Sequence, residues 1–230
     1  MKTRRLDQLL ASLGYRSRRE ATAMIRDGRV TANGDVITTP DARINPSTVK
    51  LDGEPLEFPN GILVMLHKPV GYVCSHSSNE GPTIYELLPP RWLKRKTPVT
   101  SVGRLDKETS GVLLITDSGE LVHRYTSPRA KVIKAYEVEV DGELRPELIE
   151  IFAMGKLKLP GEKNPCRPAK LEILGQRTGR IHLTEGRYHQ VRRMFASQNL
   201  FVTKLHRTRF GDHELDDLSA TEWRVIESRY

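Results

Sequence analysis

The sequence predicts an α+β protein, with a small basic helix-and-strand module at the front and a larger mixed domain behind it. Three observations carry that expectation. Strand-like runs recur from residue 63 onward, and the runs at 136–140 and 180–184 alternate apolar with polar residues, as half-wet strands do. Helical stretches fall between them irregularly, with hairpin signals and no repeating βαβ unit. Residues 1–29 hold eight basic residues against three acidic ones, which sets the front apart in charge.

The bulk composition narrows the class. At 230 residues, with 37% hydrophobic and 29% charged residues, the chain suits one large domain or a small one plus a medium one. Its longest apolar runs, at 62–66 and 111–115, are too short to span a bilayer. The N-terminus lacks the apolar core of a secretory signal, and the expected compartment is the cytoplasm. Cys74 and Cys166 stand far apart without a CxxC, which favours a reducing compartment. His67, Cys74 and His76 lack a fourth ligand and a recognised spacing, so no metal site is expected. A net charge of +8 favours a polyanionic partner, nucleic acid before a membrane surface.

The elements follow in order. Leu6, Leu9, Leu10 and Leu13 line one face of a helix that Gly14 ends. Ser17 and Glu20 form a capping box opening a second helix, with Ala21, Met24 and Ile25 on its apolar face and Gly28 beyond its end. Asn33-Gly34 and Asp52-Gly53 each mark a tight hairpin between short β-prone runs. Residues 57–61 read as a linker, dividing the chain into domains 1–59 and 60–230. In the second domain, strands are expected at 63–67, 111–116, 136–140, 170–174, 180–184 and 201–205, and helices at 118–126, 146–154 and 187–198. Asp117 and Ser118 read as a helix cap. In the last helix Val191, Met194 and Phe195 face the core, while His189, Arg192 and Arg193 share another face suited to a phosphate or a carboxylate. No dinucleotide fingerprint or Walker motif is present.

Two stretches then become specific. The front, RLDQLLASLGYRSRREATAMIRDGRVTANGDVI at 5–37, resembles the S4-type RNA-binding domain. Arginine predominates there over lysine, and a planar guanidinium suits bidentate phosphate contacts. The resemblance makes Arg16, Arg18, Arg19, Arg26 and Arg29 the RNA contacts. Four further segments come in the order found in pseudouridine synthases: LHKPVG at 66–71, GRLDKETSGVLLITD at 103–117, KAY at 134–136 and EGRYHQVRRMF at 185–195. Tyr-His-Gln in the last resembles the branch acting on small-subunit (16S) ribosomal RNA; large-subunit relatives more often carry Asn-Arg-Glu.

That resemblance implies a mixed, mainly antiparallel sheet flanked by helices. Asp106 would be the catalytic aspartate, Arg104 the residue that helps extrude the uridine, and Tyr136 the ring that stacks on the flipped base. Arg192 would be the cation paired with the aspartate. Arg187, His189 and Arg193 are expected to face RNA, and Lys68 to be structural or RNA-facing. Isomerising uridine neither oxidises it nor adds a group, so no cofactor is expected. The implied partner is ribosomal RNA within a small-subunit assembly intermediate, bound by a monomer. Whether Asp106 attacks base or sugar, or supports removal of a sugar proton, stays open. A large-subunit target, a non-catalytic S4-domain RNA-binding protein and an N-glycosylase releasing free uracil remain as alternatives.

Overall fold

The computed structural model describes residues 3–226; Lys2, one of the basic residues of the front segment, lies outside them. The chain divides into two compact units. The first holds residues up to Leu63 together with Tyr85–Thr100 and Ile115–Gly119; the second holds Val64–Ile84, Ser101–Leu114 and the chain from Glu120.

In the first unit, β1 (Arg4–Arg5) leads into α1 (Leu6–Ser12), followed by α2 (Arg18–Arg26), β2 (Val30–Ala32), β3 (Asp35–Val36), β4 (Arg43–Ile44), β5 (Val49–Leu51) and β6 (Glu54–Pro55). The leucine stripe of α1 packs on Ala21 and Ile25 of α2 and on Val30, Ala32 and Val49 of the sheet, the apolar burial that holds so small a module together. The capping box forms as its spacing dictates: Ser17 Oγ accepts from Glu20 N at 3.3 Å and the Glu20 carboxylate accepts from Ser17 N at 3.0 Å. Asn33 and Gly34 take φ of 53° and 96°, and Asp52 and Gly53 take 51° and 86°, the left-handed pairs that close the β2–β3 and β5–β6 hairpins.

The segment 85–100 is sewn into this unit. Trp92 donates to the Glu57 carboxylate at 2.9 Å and meets Phe58 edge-on at 5.4 Å. Arg95 pairs with Asp117 at 2.9 Å and donates to Phe58 O. The other Asp117 oxygen accepts from Ile62 N at 3.0 Å. Gly14 turns the chain at φ +81°, and a Cβ there would sit 2.6 Å from Arg91 O, so glycine serves both the turn and the approach.

The second unit is built on a sheet of β7 (Leu63–Lys68), β8 (Thr100–Ser101), β9 (Thr109–Thr116), β10 (Lys134–Val140), β11 (Lys170–Ile173), β12 (Thr178–Leu183), β13 (Val202–Phe210), β14 (His213–Glu214) and β15 (Trp223–Val225). The main path runs β11-β12-β10-β13-β9-β7-β15. β10 lies antiparallel to both β12 and β13, β15 lies antiparallel to β7, and β13 runs parallel to β9. The sheet is mixed and mainly antiparallel, as the motifs imply. Glu137 and Glu139 turn outward from β10 while Tyr136, Val138 and Val140 are buried. β9, buried on nearly every residue, reads as a continuous apolar run because both its faces are covered.

Three helices attach to it: α3 (Gly119–Thr126), α4 (Glu147–Ala153) and α5 (Gln190–Ala196). α5 buries Val191, Met194 and Phe195, and Phe195 meets Phe152 of α4 edge-on at 5.2 Å. It begins at Gln190, not at residue 187, because His189 adopts a left-handed conformation (φ 47°, ψ 36°). The face expected to join His189 with Arg192 and Arg193 is therefore broken at its first member. β1, β14 and β15 escape the sequence reading because two- and three-residue strands leave no periodicity.

Gly111 shows how closely β9 and β13 approach. Its φ is +116°, and a Cβ would lie 2.1 Å from the carbonyl oxygen of Arg207. Gly111→Ala should destabilise the protein by at least about 3 kcal/mol in urea unfolding; a wild-type midpoint would contradict the parallel pairing.

Candidate active site

Between β8 and β9 the chain makes a tight loop, 103–108, that carries the Arg-Leu-Asp triplet. Gly103 bends it at φ +69°, Leu105 is buried, and Thr109 N closes the turn on Asp106 O at 3.0 Å. Adjacent residues of the triplet therefore point apart: Leu105 anchors inward, while Arg104 is exposed and Asp106 half-exposed. Both polar residues line a cleft of about 300 Å³ whose wall includes Lys134, Tyr136, His189 and Arg207.

The loop is held from beneath by Lys68. Of the two roles open to Lys68, structural or facing RNA, the structure favours the structural one, because the side chain is completely buried. Its ammonium donates to Pro69 O at 2.9 Å and Thr109 O at 2.7 Å, with Lys107 O at 3.4 Å. Gly71 N adds a bond to Lys107 O at 2.8 Å. Cys74 stands beside the same loop, its sulfur 3.5 Å from Leu105 N, with burial pushing the thiol's pKa up. Burial lowers Lys68 from 10.5 to about 8, against the nearby charges of Cys74, Asp106 and Glu108, which act to raise it.

Tyr136 reaches the cleft because β10 alternates, and it is only 9% exposed. Across the ladder it pairs in register with Arg207 of β13. Arg207 carries no motif signature in the chain, yet it is the largest fully buried side chain on the cleft wall. Its Nε donates to Val112 O at 2.8 Å, its guanidinium lies 4.6 Å from the Phe210 ring centre and 6.0 Å from that of Tyr136, and its buried Nη2 has no partner within the described chain. A buried cation with an unanswered N–H is the kind of group that a ligand satisfies. Lys134 adds a second half-buried cation, lowered to about 8 by burial and then by the charge of Arg207.

Arg192 is not beside Asp106 as an ion partner. Its guanidinium donates to Val202 O at 3.0 Å and Glu108 O at 2.9 Å, so it ties α5 to the far end of the Asp106 loop. The basic side chain that reaches the carboxylate is His189, whose Nε2 lies 3.4 Å from Asp106 Oδ1. The left-handed backbone at residue 189 turns the imidazole there, and non-glycine residues hold that conformation at a cost of about 1 kcal/mol. Tyr188, exposed, stacks on the same imidazole with ring centres 3.9 Å apart.

Two further residues expected on RNA are held by the protein. Arg187 bonds Asn164 O, Pro165 O and Glu185, and Arg193 bonds Tyr188 O, Pro160 O and Glu162. Both brace the loop before α5. On the front module Arg29 is paired with Asp52 and Arg18 with Asp7, whereas Arg16, Arg19 and Arg26 are exposed with no ion pair among the described residues. No group of three or more His, Cys, Asp or Glu among the described residues could hold a metal ion, and no described helix is long and apolar enough to cross a membrane.

The profile described as RNA pseudouridylate synthase matches residues 62–197, and that of the S4 domain matches residues 4–55. The chain is 38% identical over 226 residues to the ribosomal small subunit pseudouridine synthase A of Vibrio parahaemolyticus, covering 96% of this chain and 95% of that protein. It is 39% identical over 227 residues to the protein of the same description from Escherichia coli, covering 96% of each. A crystal structure of a pseudouridylate synthase superposes with a TM-score of 0.67 at 37% identity, over 96% of this chain and 95% of that one.

Lys68 has a consequence for stability against pH. Between about pH 8 and 10.5 the unfolded chain still holds the proton that folded Lys68 has released, so its contribution to stability rises with pH through that window. Lys134 shares the window. Lys68→Met should remove the Lys68 share of that rise and, by leaving carbonyls unbonded, lower stability by about 2–4 kcal/mol at pH 7. Parallel stability–pH curves for wild type and variant would refute this if they kept one shape.

Proposed function

The chain belongs to the RNA pseudouridylate synthase family, and from that premise we propose that it converts a uridine of 16S ribosomal RNA into pseudouridine. The observation that carries the reading is Asp106, presented on a braced loop in a cleft that also holds Tyr136 and buried cations. The reaction breaks the N1–C1′ bond and forms a C5–C1′ bond; C5 gives up its hydrogen to solvent and N1 gains one. No electrons enter or leave, and no outside group is needed.

Each residue then has a task. Asp106 acts at the base or the sugar of the bound nucleotide. Extruding that nucleotide costs a few kcal/mol of stacking, which new contacts offset. Arg104, exposed on the same turn, fills the space the base leaves, and Tyr136 offers its ring to the extruded uracil. Arg207 supplies the N–H that a uracil carbonyl oxygen accepts. Arg192 and Lys68 act through the loop backbone and are positioning residues. Residues 1–59 serve RNA binding, and the catalytic residues lie within 60–230. The setting is the cytoplasm, the substrate a small-subunit assembly intermediate, and the enzyme a monomer; the names of the relatives and the S4 match support the ribosomal target.

The test is tritium release from C5-labelled uridine in 16S and 23S RNA, each naked and partly assembled. Wild type should release label from a small-subunit substrate. Asp106→Asn should abolish release while RNA affinity stays within a few-fold, and Arg104→Ala should slow single-turnover release on structured RNA by about 10-fold or more. Release of free uracil would indicate an N-glycosylase instead, and substantial turnover by Asp106→Asn would refute the aspartate's role.

A further inference from the structure

The first unit contains a basic hollow of about 770 Å³ that joins α1, the start of α2 and the segment 94–96. Five cations line it, Arg4, Arg16, Arg18, Lys94 and Lys96, against one carboxylate, Glu20. Their partners differ. Arg4 donates to Ser12 Oγ at 2.7 Å and Arg18 to Asp7 at 3.0 Å, so both are tethered. Arg16, Lys94 and Lys96 are exposed and make no hydrogen bond or ion pair through their side chains among the described residues.

The carboxylates that could answer those charges are already engaged. Glu20 accepts from the Ser17 amide and hydroxyl in the capping box. Asp7 holds Arg5 and Arg18, Glu57 holds Arg91 and Trp92, and Asp117 holds Arg95. Five cations against the single Glu20 carboxylate, which Arg16 also feels, leave an excess of positive charge that a polyanion entering the hollow relieves. The lysines are also placed firmly. Lys96 N bonds Ser12 O at 3.0 Å, and Gly14 packs so closely that an added Cβ would stand 3.0 Å from the Lys94 carbonyl carbon.

We propose that Lys94 and Lys96, together with Arg16, form an RNA-backbone groove, so that a segment outside the S4 match extends the RNA-binding face of that module. The groove rests on the reading of ribosomal RNA as substrate and adds to it a phosphate-binding surface from the 85–100 segment. The open, cationic lining suits a phosphodiester backbone, so the groove contributes affinity and register.

The test measures binding of 16S ribosomal RNA to the full chain across a salt series, for wild type, Lys94→Ala/Lys96→Ala and Lys94→Arg/Lys96→Arg. Alanine keeps the Cβ at residue 94, and both side chains are exposed, so the fold is retained. Each lost phosphate contact should lower the slope of log affinity against log salt by about 0.7–0.9. The alanine pair should therefore bind roughly 10- to 50-fold more weakly at about 0.1 M salt, with a slope shallower by about 1.5, and the arginine pair should restore both. Wild-type affinity and slope in the alanine pair would overturn the groove, as would weakened binding with an unchanged slope. Tritium release by wild type on the same RNA separates the two readings. Normal release beside an unaffected alanine pair sinks the groove alone; absent release beside a shallower slope sinks the catalytic assignment and leaves the groove standing.

Discussion

The buried ammonium of Lys68 is the constraint on which the catalytic unit depends. A lysine taken wholly out of water must find acceptors, and here they are the carbonyls of Pro69, Lys107 and Thr109. Two of those belong to the loop and strand that flank Asp106. One side chain from β7 thus sets the height of the loop carrying Arg104 and Asp106, while Leu105 anchors it in the core. The bond to Glu108 O from Arg192 fixes the same loop from the side of α5. Held at these points, Asp106 keeps a fixed place on an otherwise exposed turn.

The parallel pairing of β9 with β13 builds the opposite wall. It brings Arg207 into register with Gly111 on one side and with Tyr136 on the other. Glycine at 111 lets the two backbones close to a distance no Cβ would permit. The result places a buried guanidinium near two aromatic rings, with its Nη2 left for a ligand. Gly111 of the 103–117 motif is therefore part of the architecture of the cleft.

Basic residues in this protein divide into those committed to structure and those left exposed to solvent. Lys68, Arg95, Arg187, Arg192 and Arg193 bond carbonyls or carboxylates of the chain. Arg16, Arg19, Arg26, Lys94 and Lys96 stand exposed and without ion pairs among the described residues. A net charge of +8 says only that a polyanion is favoured; which cations meet it depends on which ones the fold has already satisfied.

Local chemistry made much of this legible from the chain. The capping box at Ser17, the hairpins at Asn33-Gly34 and Asp52-Gly53, the alternation of β10 and the apolar run of β9 each follow from interactions within a few residues, and the structure has each of them. The motif order likewise pointed to Asp106, Arg104 and Tyr136, and the structure brings all three to one cleft. Long-range contact decided the rest. Arg207 sits 71 positions beyond Tyr136 and meets it only through the β10–β13 register. Residues 85–100 join the front unit because Trp92 and Arg95 find Glu57, Phe58 and Asp117 there. Whether a lysine faces RNA or three carbonyls depends on which strands bury it, and a one-dimensional pattern does not encode that partner.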